Sequence, residues 1–191
     1  MKTILIFTLF CFSFLAGNDS GPGKWQLDRG HSSLGFSVSH MGIAEFNGTF
    51  DKFDVKVTTS GADFTDATIE LTAEVASVNT GNDMRDKHLA AEDFFDAGKF
   101  PTMTFKSKSV KKKGKNYVIE GEFTFHGVSK LITLNAKHNG TLNLKDDGKD
   151  LQIAGFEVSG SIKRSEFGIA PDFKDIADEI FLDADLEIYK Q

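Results

Sequence analysis

Residues 77–105 read SVNTGNDMRDKHLAAEDFFDAGKFPTMTF. The stretch opens on a strand-like run over residues 75–78, and a helix start is predicted at Asn79 or Thr80. A short charged segment follows, with Arg85, Asp86, Lys87 and His88, while Leu89, Phe94 and Phe95 supply an apolar face. Pro101 closes the segment and a new strand begins at Thr102. A charged segment with one apolar face must pack that face against something. β-Rich chains connect strands with short turns, so a polar connection of this length marks a place where function concentrates.

Outward from this insertion the hydrophobic period is two. Leu34, Phe36, Val38 and His40 alternate with serines and Gly35; Ile69, Leu71, Ala73 and Val75 alternate with Thr and Glu. The same alternation places Tyr117, Ile119, Phe123 and Phe125 on one face, and Ile132, Leu134 and Ala136 on another. Phe156, Val158 and Ile162, then Leu182, Ala184, Leu186 and Ile188, complete the pattern. Such alternation marks antiparallel strands with one dry and one wet face. Turn signals at Ser60-Gly61, Gly140 and Asp146-Asp147-Gly148 separate the strands. About eight long strands and one helical insertion result, with no linker or repeat. A sheet closed on itself removes exposed edges, and Gly35, Gly121, Gly155 and Gly160 suit the bends of a barrel. A two-sheet sandwich would share much of this pattern.

The N-terminus has the pattern of a secretory signal: Lys2, an apolar run over residues 4–15, then Ala16-Gly17 before a predicted cut at Asn18. That run is too short for a transmembrane helix, and no later segment approaches its length. Asn18 stands where a lipoprotein signal would need Cys, so no lipid anchor is expected. The single cysteine, Cys11, leaves with residues 1–17, so the expected mature domain, 18–191, has no disulfide or thiolate. Formal charge is −6, and loss of Lys2 makes it −7, which disfavours nucleic acid and anionic membranes as partners. The basic run from Lys111 to Lys115 has the pattern of an exposed hairpin tip, with docking of an acidic partner as the alternative. Of 19 phenylalanines, four precede residue 18, against one Trp and two Tyr in the whole chain. Phe brings bulk without a polar handle. Composition fits a solid aromatic core, and an eight-stranded barrel can instead hold one small ligand.

Chemistry-bearing residues are sparse. The five histidines form no HxH, HxxH or HExxH pair, so no metal site is expected. His31, His40 and His88 could converge at a barrel mouth; His31 and His126 also suit strand capping. His40 continues the inward face of Leu34, Phe36 and Val38. Arg85 and Arg164 could hold a phosphate or carboxylate. Both also have structural carboxylates nearby in sequence, in Asp83, Asp86, Asp93 and Glu166. No nucleophile elbow, acid–base carboxylate pair or phosphate-cradling glycine pattern occurs.

The string TGNDMRDKHL, then DFFD and KFPTMTF, resembles the YceI-like family of bacterial lipid-binding proteins. The resemblance continues in Trp25-x-Leu27-Asp28, in HSSLGFSVSH at 31–40, in Gly48-x-Phe50 and in Phe53. Downstream it takes in Gly121-x-Phe123-x-Phe125-His126-Gly127-Val128-x-Lys130 and Arg164-Ser165-Glu166-Phe167-Gly168. It implies an all-β fold: an antiparallel, eight-stranded, lipocalin-like barrel with the helical insertion across one end. It further implies non-enzymatic binding of a long-chain amphiphile. A polyisoprenoid, as prenyl phosphate, pyrophosphate or quinone, is the expected ligand, and a fatty acid or amide also fits. The expected ligand-binding residues are Phe36, Val38, His40, Phe50, Arg85, His88, Phe94, Phe105, Phe123 and Phe125. No cofactor is expected, the location is periplasmic or otherwise extracytoplasmic, and a homodimer is compatible. The rival readings are a filled, ligand-free structural or stress-response barrel and an enzyme acting on an isoprenoid lipid.

Overall fold

The period-two sets build antiparallel strands whose two ends meet. The computed structural model of the protein describes residues 22–61, 63–146 and 148–191. The apolar run over residues 4–15, Cys11 and the cut at Asn18 lie outside the described residues, as does Asp147 of the predicted turn. In chain order the strands are β1 (Gly23–Leu27), β2 (Ser33–His40), β3 (Ala44–Phe50), β4 (Phe53–Thr59), β5 (Thr68–Glu74) and β6 (Val78–Asn79). After the helix α1 (Asp83–Ala90) come β7 (Thr102–Lys113), β8 (Asn116–Phe125), β9 (Val128–Asp146), β10 (Lys149–Lys163) and β11 (Ile176–Lys190).

These segments make eight ribbons, because three ribbons are broken. β1 and β2 lie end to end along β11: Leu27 pairs with Ile188, and beyond a 3-10 turn at Arg29–His31, Ser33 pairs with Asp185. β3 and β4 form the next ribbon, bent at Asp51-Lys52, and β5 and β6 the third, broken by a 3-10 turn at Val75–Ser77. The strand-like run at 75–78 is therefore mostly that turn. Each ribbon pairs antiparallel with its chain neighbours, and β1 closes the sheet onto β11. This is an up-and-down barrel, the arrangement that leaves no open sheet edge around the core. The β9–β10 hairpin runs past the barrel, since β8 pairs with β9 only as far as Lys137.

The predicted inward sets face the axis, except at His40. Val55, Val57, Ala73, Phe105, Ile119, Phe123 and Ile188 are buried, while Glu70–Lys106, Glu122–Lys108 and Glu157–Lys137 ion pairs lie outside on adjacent strands. Exposed pairs of that kind contribute little; the core sets the stability. The basic run ends β7, and Gly114, at φ +66°, makes the hairpin turn into β8.

The helix begins at Asp83 rather than at Asn79 or Thr80. Those two residues are engaged elsewhere: Asn79 pairs with Thr49 and its side chain accepts from the Gly81 amide, while the Thr80 amide donates to Asp86. Gly81 turns the chain at φ +74°, and the Asn82 side chain then caps the helix, accepting from the Met84 and Arg85 amides at 3.1 Å. α1 buries no residue fully. The insertion is anchored instead by Leu89 in its last turn and by Phe94 and Phe95 beyond it. No helix among the described residues is long and apolar enough to cross a membrane.

Candidate functional site

The barrel axis is not filled. A cavity of about 190 Å³ runs through it, walled by 35 residues drawn from nearly every ribbon. That volume exceeds the space one water needs by more than about tenfold, so it is not a packing defect. Many residues enclosing little volume make a slender space. The wall is hydrocarbon almost throughout; its charged members are Arg164 and Asp183, and the Asp183 carboxylate lies over Gly35 on the outer face. Leu34, Phe36, Leu71, Leu134, Val158 and Leu182 face the axis yet are only half-buried. Their remaining exposure is to this interior space. A closely packed core would leave no such void.

One end is closed by the insertion. Leu89, Phe94 and Phe95 are on the wall. Phe95 sits 6.1 Å from Phe50 and 5.2 Å from Phe125, and Phe94 sits 5.5 Å from Phe173 in the segment between β10 and β11. His88 lies outside this closure: it hydrogen-bonds Asp93 at 2.7 Å, is exposed, and meets the Phe94 ring edge-on at 4.8 Å. Phe94→Ala is expected to lower stability by about 3 kcal/mol, the low end for a buried Phe because its ring already borders a void. His88→Ala, which removes an exposed ion pair and an edge contact with Phe94, is expected to cost less than about 1 kcal/mol; chemical denaturation of both variants checks the contrast.

The other end is closed by a residue the alternation does not mark. Phe64, on a 3-10 turn between β4 and β5, lies 5.3 Å from Trp25, 4.9 Å from Phe156 and 6.5 Å from Tyr117. Asp63 fixes that turn by accepting from the Thr65 amide and from Lys112 at 2.9 Å. The Lys112 ammonium, then Thr65, hold its carboxyl down to about 2. One lysine of the basic run thus secures the plug. His138 stacks on Phe156 at 4.8 Å and hydrogen-bonds Thr141 at 3.0 Å. Burial there pushes its pKa below the ordinary histidine value. The folded form therefore resists a proton that the unfolded chain accepts, so this group's contribution is complete above about pH 6.5 and is lost as pH falls below it. The melting temperature of wild type relative to His138→Phe should drop between pH 7 and about 5.5. A pH-independent difference would remove His138 as the cause.

Among the described residues Arg164 has the only cationic side chain in the wall, and it is buried. It holds no carboxylate. Its Nε donates to Ala177 O at 3.1 Å, Nη1 to Ile169 O at 3.0 Å and to Ala170 O, and Nη2 to Phe173 O at 2.5 Å and Ile176 O at 3.2 Å. Every N–H of the fork is aimed at a carbonyl of one segment, residues 169–177. The expected carboxylate pairing is thereby corrected: the guanidinium latches a loop over the cavity end that the insertion also covers.

Seven of the ten expected site residues lie on the wall: Phe36, Val38, Phe50, Phe94, Phe105, Phe123 and Phe125. Three do not. His40 pairs with Ala44 at the end of β2 and its ring meets Phe46 edge-on at 5.2 Å, so the strand ends before its inward parity can reach the cavity. Arg85 donates to Thr80 Oγ1 and Thr80 O, each at 2.7 Å, and lies over Phe46, with no carboxylate partner. His88 faces solvent, as above. Nor do the histidines converge. His31 hydrogen-bonds Asp28 at 3.0 Å at the β1–β2 break, and His126 bonds the Phe167 carbonyl at 3.0 Å. Phe64 and the latching role of Arg164 are what the sequence reading missed.

Residues 25–188 match the YceI-like domain family. Protein YceI of Salmonella arizonae is 34% identical over 192 residues, covering 100% of this chain and 98% of its own. The crystal structure of a Campylobacter jejuni YceI protein is similar at TM-score 0.72 and 35% identity, over 86% of this chain and 96% of that one. A polyisoprenoid binding domain from Saccharophagus degradans, implicated in plant cell wall breakdown, shares the fold at TM-score 0.62 and 18% identity. That likeness covers 87% of this chain and 98% of the other.

Proposed function

We propose, from the premise that this chain belongs to the YceI-like family, that its barrel is a container for one long apolar chain carrying a polar head. The observation that supports this is the slender hydrocarbon-walled cavity with aromatic side chains at both ends. Burial of chain in such a space contributes roughly 0.8 kcal/mol per CH₂, so affinity comes from the tail. The Arg164 fork is directed at carbonyls, which leaves the wall without a cationic grip for a phosphate. The head of the ligand then sits at an end of the barrel rather than inside it. An isoprenoid, as quinone, phosphate or pyrophosphate, is the tail class we favour, with a fatty acid or amide as the competing straight chain. The role we favour is binding, which the hydrocarbon wall supports. A filled structural barrel is disfavoured by the half-buried inward residues.

Delipidated protein titrated with a polyprenol, an isoprenoid quinone and a straight-chain amide of equal carbon number tests the reading. Saturable one-to-one uptake with preference for the branched chains is expected, and no uptake of any would overturn the container. Turnover of an added prenyl pyrophosphate would replace it with the enzyme. We also propose that the chain is exported and begins near Asn18 once matured. N-terminal sequencing of the protein from its host checks this, and an intact Met1 in the cytoplasmic fraction would contradict it.

A further inference from the structure

Four large apolar side chains stand in water on connections at the end that the insertion closes. Met41 and Ile43 form the β2–β3 turn and are 63% and 85% exposed; Met84 on α1 is 82% exposed, and Phe173 before β11 is 41% exposed. The chain brings these three connections together. The Met41 amide donates to Asp175 O at 2.7 Å, which ties the β2–β3 turn to the Phe173 segment. Arg85, next to Met84, lies 4.8 Å over the Phe46 ring of β3. The rim is also continuous with the interior. Phe173 meets solvent on one side and the Phe94 ring on the other, and Phe94 is cavity wall. Two aromatic rings therefore separate water from the void.

From this continuity we propose that the rim formed by Met41, Ile43, Met84 and Phe173 docks onto the surface of a lipid bilayer. The inference rests on the container reading for what then passes. A long-chain amphiphile has negligible free concentration in water, so its transfer requires an apolar path from bilayer to cavity, and this is the end that offers one. Isolated exposed apolar residues are ordinary, but a cluster at the mouth of a hydrocarbon cavity marks an interaction site. The charges around the rim decide which surface. Glu45, Asp83, Asp172 and Asp175 outnumber Arg85, Lys87 and Lys174, and the chain as a whole is acidic at −6. An anionic surface would repel it, so the partner is a zwitterionic, phosphatidylcholine-like or phosphatidylethanolamine-like surface held by apolar contact, with little dependence on salt.

Flotation of the purified protein with phosphatidylcholine vesicles, at low and high salt, tests this. The triple variant Ile43→Ser, Met84→Ser, Phe173→Ser should lose vesicle partition by about tenfold or more, since each apolar side chain withdrawn from the bilayer removes roughly a kilocalorie-scale contribution. The double variant Leu142→Ser, Leu144→Ser, also exposed but on the protruding β9–β10 hairpin, should partition like wild type. Ile43→Ser alone, which touches no packed core, should give the same direction if the triple variant melts early. Unchanged partition of the triple variant would overturn the proposal. So would absence of vesicle binding by wild type, or a rim substitution that alters only the oligomeric state in light scattering. If vesicle binding needs the rim while no lipid is ever taken up, docking stands and the container reading fails; if lipid is exchanged at the wild-type rate by the triple variant, docking fails and the container stands.

Discussion

Arg164→Ala is expected to lower stability by about 2–4 kcal/mol, the scale of losing several charge-assisted hydrogen bonds made by one buried side chain. The magnitude follows from what the fork holds. Five carbonyls between Ile169 and Ala177 accept from one side chain that is 5% exposed. Without it the buried Ile169 carbonyl loses its donor, at a cost on the order of 1–3 kcal/mol, while the partly buried carbonyls must turn to water and Ala170 O keeps the Phe173 amide. The segment also carries Ile169 and Ile176 of the wall and Phe173, which backs Phe94. Its release should open the insertion end as well. Arg164→Lys should recover little, because an ammonium has three donors and no planar fork to span five carbonyls. Denaturant melts measure the loss, and hydrogen exchange at residues 169–177 should rise before global unfolding. A variant as stable as wild type, with those amides still protected, would show that the latch does not hold the loop.

Phe36→Asp is expected to abolish uptake of a long-chain lipid at neutral pH and to cost about 3–5 kcal/mol, comparable with truncating a buried Phe. Phe36 lies on the cavity wall, its ring 5.6 Å from that of Phe50 and against Gly48 of the neighbouring strand, where an added Cβ would meet the ring at 2.5 Å. Among the described residues nothing cationic on the wall except Arg164 could pair with an added carboxylate, and all five of that fork's N–H groups are committed. The charge must therefore admit water or take a proton. Because the carboxyl's pKa is raised in the fold, the penalty should shrink as pH falls toward about 4, the reverse of the trend expected for His138. Phe36→Leu, which keeps the wall apolar, should retain uptake. If Phe36→Asp kept both stability and lipid uptake, the side chain could not face the cavity.

The barrel wall was legible because strand alternation is a local property. Each of the period-two sets appears on the axis side, down to Ile162 and Ile188 at the ends of long strands. Closure was not legible from the same pattern: it depends on the pairing of Trp25 with Lys190, at opposite ends of the described chain, and a sandwich would alternate identically. The resemblance in the motifs resolved it. Parity also misleads where strands end. His40 has the right parity but sits at the hairpin, one residue before Met41 turns the chain at φ +52°. Phe64 carried no signal, being a single aromatic in a polar turn that gains its meaning only when β4 and β5 bring it under the barrel. The partners of Arg164 and Arg85 are backbone carbonyls and a hydroxyl, which sequence proximity to carboxylates does not reveal. Hydrogen bonds to the main chain depend on the path of the loop, not on residue type.

Native mass spectrometry of the protein purified from its own host, without detergent, tests the central claim most directly. The account predicts a mass excess matching one long-chain lipid per chain, released by collisional activation and identified by fragmentation as an isoprenoid. A folded protein that repeatedly emerges at its bare mass, and stays so after incubation with isoprenoid lipid, would contradict it.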